Sequence, residues 1–136
     1  MNSKKMIMTA LAGLLALLGA VKIHAQSGGF RFFGPLSRVI TPNGDGLNDR
    51  IFICFDNFSD SGVSGKIYTL LGSEVASMGP KTSRTGIAGV SCPTGSLPQF
   101  VSWDGTAQGV QVHNGIYVYR IEAEGKTFSG TLLVVR

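Results

Sequence analysis

Histidine and cysteine are scarce in this chain, with two of each among 136 residues. His24 lies in an N-terminal stretch set apart below. His113 has no acidic neighbour in sequence. Two cysteines, Cys54 and Cys92, with one distant histidine lack the spacing of a metal site. No Gly-x-Ser-x-Gly elbow stands between a strand and a helix, so the common serine nucleophile is missing. After the N-terminal stretch no segment repeats apolar residues at i, i+3, i+4 and i+7. Without helices there is no glycine loop opening a helix to cradle a phosphate. The acids Asp45 and Asp49 could be neighbours, but a small β domain offers little of the cleft that paired-carboxylate chemistry needs. An enzyme is not expected.

The N-terminal stretch is the one long apolar run. Lys4 and Lys5 precede about sixteen nearly unbroken apolar residues from Met6 to Val21, and Ile23-His24-Ala25 ends in a small residue. That order predicts a secretory signal peptide over residues 1–25, cut between Ala25 and Gln26. The run is short for a membrane span of about twenty residues, so no transmembrane segment is expected after cleavage. No cysteine follows the run, which argues against a lipid anchor. Three of the twelve cations and none of the eight acids lie in residues 1–25, so removal takes the formal charge from +4 to +1. No Lys/Arg stripe remains, and a nucleic-acid partner has no electrostatic footprint. The expected location is outside the cytoplasm: extracellular, at the cell surface or periplasmic.

The remaining chain of about 111 residues is enough for one domain. Short β-prone runs alternate with turn residues, the pattern of an antiparallel sandwich or barrel of about seven strands. Residues 26–35 read as a flexible lead-in carrying Phe30, Phe32 and Phe33, and residues 36–136 as the β domain. Strands are expected at 36–41, 50–55, 65–71, 74–78, 99–103, 115–122 and 127–135. Between 79 and 98 lies a long stretch rich in Gly, Ser, Thr and Pro, with a short strand conceivable only at 87–90. A loop that long is functional, mobile or pinned, and Cys92 is a candidate pin. In an oxidising compartment Cys54 and Cys92 could be bridged. Two buried thiols is the other reading, since sequence carries no Cα distance.

Three motifs stand out. In the first, Asn43-Gly44-Asp45-Gly46-Leu47-Asn48-Asp49, oxygen side chains alternate on a glycine-rich loop. Asn43, Asp45 and Asp49 with the Leu47 carbonyl form a candidate calcium loop. It lacks the closing glutamate of an EF-hand, and the alternative is that these side chains cap turns. In the second, Trp103-Asp104-Gly105, the lone tryptophan is expected in the core. Asp104 is expected on amides of the next loop and Gly105 in a turn conformation open to few residues. In the third, Gly115 opens a strand that puts Tyr117 and Tyr119 on one face. They are expected between the sheets, with Ile116, Val118 and Arg120 on a second covered face. The uncharged run 131–135 is a pairing hazard or a docking strand if it lies at a sheet edge.

Taken together, Ile40–Asp49, Ser102-Trp103-Asp104-Gly105, Asn114–Tyr119 and Gly130–Arg136 resemble the gliding motility-associated C-terminal domain, the type B sorting domain of type IX secretion cargo. The Trp-Asp-Gly and Gly-x-Tyr-x-Tyr elements are also similar to the Ig-like domain of the flagellar hook-capping protein. The resemblance implies an immunoglobulin-like β-sandwich. It also implies a role in export or surface attachment, with secretion machinery or surface proteins as partners. Such domains normally follow a large cargo module, and here only about ten residues precede the domain. The alternative is therefore a stand-alone structural or interaction module, self-associating through an edge strand, or a small calcium- or glycan-binding unit.

Overall fold

A computed structural model describes residues 29–83 and 90–136. The expected signal peptide, the first part of the lead-in and most of the strand considered at 87–90 lie outside these residues. Eleven strands form: β1 (Phe30–Pro35), β2 (Val39–Ile40), β3 (Ile51–Asn57), β4 (Val63–Thr69), β5 (Glu74–Ser77), β6 (Thr82–Ser83), β7 (Pro98–Trp103), β8 (Thr106–Ala107), β9 (Val110–Gln111), β10 (Gly115–Ala123) and β11 (Lys126–Val134). No helix occurs among the described residues. Seven strands have four residues or more and four have two.

The strands form a four-stranded sheet in the order β1-β3-β7-β6, a five-stranded sheet in the order β2-β11-β10-β4-β5, and the β8-β9 ribbon. Both large sheets send side chains into one core. Phe30, Ile51, Ile53, Phe55, Val101 and Trp103 enter from the first. Ile40, Ile67, Tyr117, Tyr119, Ile121, Leu132 and Val134 enter from the second. Each fully buried Ile, Leu or Phe of this set contributes roughly 1.5–3 kcal/mol by leaving water, so sandwich-like packing carries most of the stability.

Local signals place the strands. In β10, Tyr117, Tyr119, Ile121 and Ala123 are buried, and Ile116, Arg120 and Glu122 are exposed. The β10–β11 turn has φ near +49° at Glu124 and +71° at Gly125, the two positive values that match the twist of a two-residue hairpin.

Four expectations need correction. Residues 30–35 are not a flexible lead-in: they are β1, paired with β3, because Phe30 and Phe32 bury their rings against Phe55 and Phe128. Only Val39 and Ile40 of the stretch 36–41 form a strand, and it runs parallel to β11, so the pairing is not antiparallel throughout. β10 is central in its sheet but covered on one face only, since Ile116 is 50% exposed. The strands covered on both faces are β3, where Cys54 is as buried as Ile53 and Phe55, and β7, where Phe100 and Val101 are each 1% exposed.

Candidate functional site

The loop between β2 and β3 is held by its own oxygens. The Asp49 carboxylate accepts hydrogen bonds from the amides of Asn43 (3.0 Å), Gly44 (2.8 Å) and Gly46 (2.7 Å). Asp45 Oδ1 accepts the Leu47 amide (2.8 Å), and its Oδ2 accepts from Asn43 Nδ2 (3.0 Å). Asn43 Oδ1 accepts the Asp45 amide (3.0 Å), and the Leu47 carbonyl accepts the Thr41 hydroxyl (3.2 Å). Gly44 and Gly46, at φ +81° and +83°, turn the amides inward. Those amides, Gly44 foremost and then Gly46, hold the Asp49 carboxyl below the ordinary aspartate range. Each of these oxygens accepts a donor from the loop itself, which is the arrangement of a turn cap. Among the described residues no three His, Cys, Asp or Glu side chains group as metal ligands.

The Trp103-Asp104-Gly105 corner is the second organised feature. Trp103 is 3% exposed, meets Tyr117 edge to face at 5.8 Å and donates Nε1–H to the Thr106 carbonyl (2.8 Å). Asp104 Oδ1 accepts the amide (3.0 Å) and hydroxyl (2.7 Å) of Thr106. Burial acts to raise the Asp104 carboxyl, but these bonds and nearby Arg50 outweigh it and leave the group lowered. Gly105 sits at φ +77°, and a Cβ there would come within 3.1 Å of the Pro42 ring. The corner therefore needs glycine twice, for its dihedral and for its closeness to the β2–β3 loop. Gln111 reaches that loop as well, donating to the Pro42 carbonyl (3.2 Å). Tyr117 donates to the His113 carbonyl (2.8 Å). Beside the corner runs an open groove of about 450 Å³, lined by Arg50, Glu74, Ser77, Ser102, Asp104 and Thr106 among others. Arg50 bonds the Ser102 hydroxyl (3.2 Å) and lies 3.8 Å from Asp104. The groove is shallow and polar, and Arg50 and Asp104 face one another within it.

Cys54 and Cys92 are bridged, with Cα atoms 5.6 Å apart. The bridge does not join the two large sheets. It lies on the outer face of the four-stranded sheet, in a small second core of Cys54, Val90, Cys92 and Phe100 flanked by Phe33 and Phe52. Asp56, on the same face, accepts the amides of Ser96 (3.0 Å) and Leu97 (2.6 Å). Residues 90–97 thus form a strap pinned at two points. Gly95 passes so close to the Asp56 carboxylate that a Cβ would collide with it.

Sequence reasoning missed a polar cluster at the opposite end. Asn57 is fully buried, donates to Gln99 Oε1 and to the Ser61 carbonyl (each 2.9 Å), and accepts the Ser61 amide (3.0 Å). Gln99 donates to Asp60 (3.0 Å), which pairs with Lys81 at 2.5 Å. The Lys81 bond, then Gln99, lowers the Asp60 carboxyl. Glu124 accepts from the Ser61 hydroxyl (2.7 Å) and the Phe30 amide (3.2 Å), and both lower it. These bonds tie β1, β3, β7, the β3–β4 connection and the β10–β11 turn together. No local pattern announces them, because the partners lie 39 to 94 residues apart for Gln99–Asp60 and Phe30–Glu124.

The outer face of the five-stranded sheet is the most open feature. Val39 pairs with Leu133, and Leu133 with Ile116, so three apolar side chains stand in a row, 36–50% exposed. Val118 and Tyr68 continue it, paired across β10 and β4, and Leu70 and Leu71 project at the β4–β5 turn, 64% and 96% exposed. Farther along, the face turns charged, with the pairs Lys66–Glu74 (2.8 Å) and Arg120–Glu122 (2.6 Å). No helix of the described residues is long and apolar enough to cross a membrane. No family model matches the chain, and no curated protein and no solved structure matches it either.

Proposed function

We propose that this chain is an exported, non-enzymatic immunoglobulin-like module that works by docking onto another protein, in secretion or at the cell surface. The observation that carries it is the outer face of the five-stranded sheet. A contiguous row of Val39, Leu133 and Ile116, extended by Val118 and Tyr68, has no partner within the described chain. Exposed apolar patches of this kind mark association surfaces. The grooves found are open and shallow, which suits docking better than chemistry.

The strand order supports the immunoglobulin-like reading. With β1, β3, β7 and β6 as A, B, E and D, and β2, β11, β10, β4 and β5 as A′, G, F, C and C′, the two sheets follow that arrangement. Two features depart from antibody domains. The disulfide ties B to the D–E connection and not to F, and the buried tryptophan is on E and not on C. Export rests on the signal-like residues 1–25. The sorting-domain role rests on the four motif stretches, with secretion machinery or surface proteins as the partners in that case.

The test is an export assay with the full chain. Ile116→Ser combined with Leu133→Ser removes the apolar row without touching the core. Accumulation of the folded double variant inside the cell envelope, with the wild type released or surface-attached, is the expected outcome. Unchanged release or attachment of the double variant would remove the docking role of this face.

A further inference from the structure

We propose that two copies of this chain associate through β11, antiparallel about a twofold axis at Ser129, joining their five-stranded sheets edge to edge. This rests on the docking reading and names a second copy of the chain as one partner.

β11 has nine residues and pairs with β10 without a register shift, but β2 covers only Leu133 and Val134 on its other side. The amides of Leu133 and Val135 point to β2, donating to the carbonyls of Arg38 (2.7 Å) and Ile40 (3.0 Å). Backbone direction alternates along a strand. The N–H and C=O groups of Thr127, Ser129 and Thr131 therefore point away from β10 into the uncovered edge.

The other sheet edges are blunted in the ways edges usually are. β1 carries Arg31 and Pro35 and a register shift between Phe32 and Gly34. β5 has four residues and a shift in its pairing, and β2 and β6 have two residues each. Among the described strands with an open edge, β11 alone is long, regular and free of Pro, and it is uncharged from Thr127 to Val134.

The open edge is its own complement. Centred on Ser129, Thr127 stands opposite the partner's Thr131, so each outward N–H meets an outward C=O. The same register sets Phe128 opposite the partner's Gly130. Phe128 is half-buried and stacked on Phe32 at 4.7 Å, and Gly130 has no side chain to obstruct that ring across the pair. Thr127, Ser129 and Thr131 carry no charge, so no like charges meet along the pair. An edge of matching length and neutrality is what the partner must supply, and β11 itself supplies it.

The experiment is sedimentation velocity on the full chain as the cell processes it. The wild type is expected to form a reversible dimer below about 0.5 mM. Ser129→Lys and Ser129→Glu each set two like charges face to face at the axis and are expected to weaken the dimer about tenfold or more. Mixed in equal amounts they restore it. The Ser129 side chain is exposed, so circular dichroism and melting stay those of the wild type. Ser129→Cys gives a second readout, a covalent dimer under oxidation. A wild type monomeric at every concentration up to about 0.5 mM, or a Ser129→Lys variant that dimerises like the wild type, overturns the proposal. A monomer that still needs Ile116 and Leu133 for export overturns self-association and leaves the docking face standing. A dimer in a chain indifferent to those two residues does the reverse.

Discussion

Gly130 stands directly opposite Tyr119 across the β10–β11 ladder, and the absence of a side chain there makes room for the phenol ring. A Cβ at 130 would meet Cζ at 2.6 Å and Cε1 at 2.9 Å, with the hydroxyl oxygen closer still. Tyr119 is 2% exposed and has nowhere to retreat. Gly130→Ala is expected to cost about 1–3 kcal/mol by overpacking, read from urea unfolding midpoints. In a Tyr119→Leu background the same change should cost less, because the ring is gone. Equal costs in both backgrounds would contradict the contact.

Acid should unfold the protein through a defined group of carboxylates. Asp49, Asp60 and Glu124 lie below their ordinary values of 3.8, 3.8 and 4.5 in the fold, each through the hydrogen bonds it accepts. A depressed folded value means stability present above the ordinary value and lost as pH falls through the folded one. Stability should therefore be flat near neutrality and decline below about pH 4. Asp49→Asn should flatten part of that decline and lower stability at neutral pH, measured by denaturation between about pH 7 and pH 3. Millimolar calcium should leave the melting midpoint of the wild type where it was. A calcium-dependent rise abolished by Asp49→Asn would overturn the turn-cap assignment.

Breaking the disulfide should loosen one face without dissolving the fold. Cys54 and Cys92 enclose a loop of 38 residues, for which chain entropy predicts about 3–4 kcal/mol. Cys92→Ala should lower stability by that order and speed amide exchange at Ser96 and Leu97, whose amides are bonded to Asp56. The core residues Ile67, Ile121 and Leu132 should stay protected. Loss of protection across β10 and β11 would show that the strap is part of the main core.

The two faces of β10 should respond differently to truncation. Ile121 is fully buried and Ile116 is half exposed. Ile121→Ala should cost about 2–5 kcal/mol, and Ile116→Ala about 0.5 kcal/mol or less. Similar costs at the two positions would mean that the outer face is covered after all.

How much of this was legible depended on how local the cause is. The alternation in β10 and the Glu124–Gly125 turn are short-range and were readable. So was the glycine at 105, because Trp-Asp-Gly combines a strand end with a turn. β1 was not, since Gly34 and Pro35 break the pattern that Phe30 and Phe32 begin. Their rings find partners only in Phe55 and Phe128, from distant strands. Cys54 alternates out of phase with Ile51, Ile53 and Phe55, a sign of a second covered face, but nothing local says that residues 90–97 do the covering. The contacts of Gly95 with Asp56 and of Asn57 with Gln99 link residues about forty positions apart and leave no periodic trace. The candidate calcium loop was ambiguous because a cation and a set of amides attract the same oxygens.

The central claim is an exported chain, processed and folded with its disulfide closed. The most direct measurement is the intact mass of the protein recovered from the extracytoplasmic fraction of the cells that make it. A mass equal to residues 26–136 less two hydrogens is the expected result. A full-length chain with two free thiols, recovered only from the cytoplasm, would contradict it.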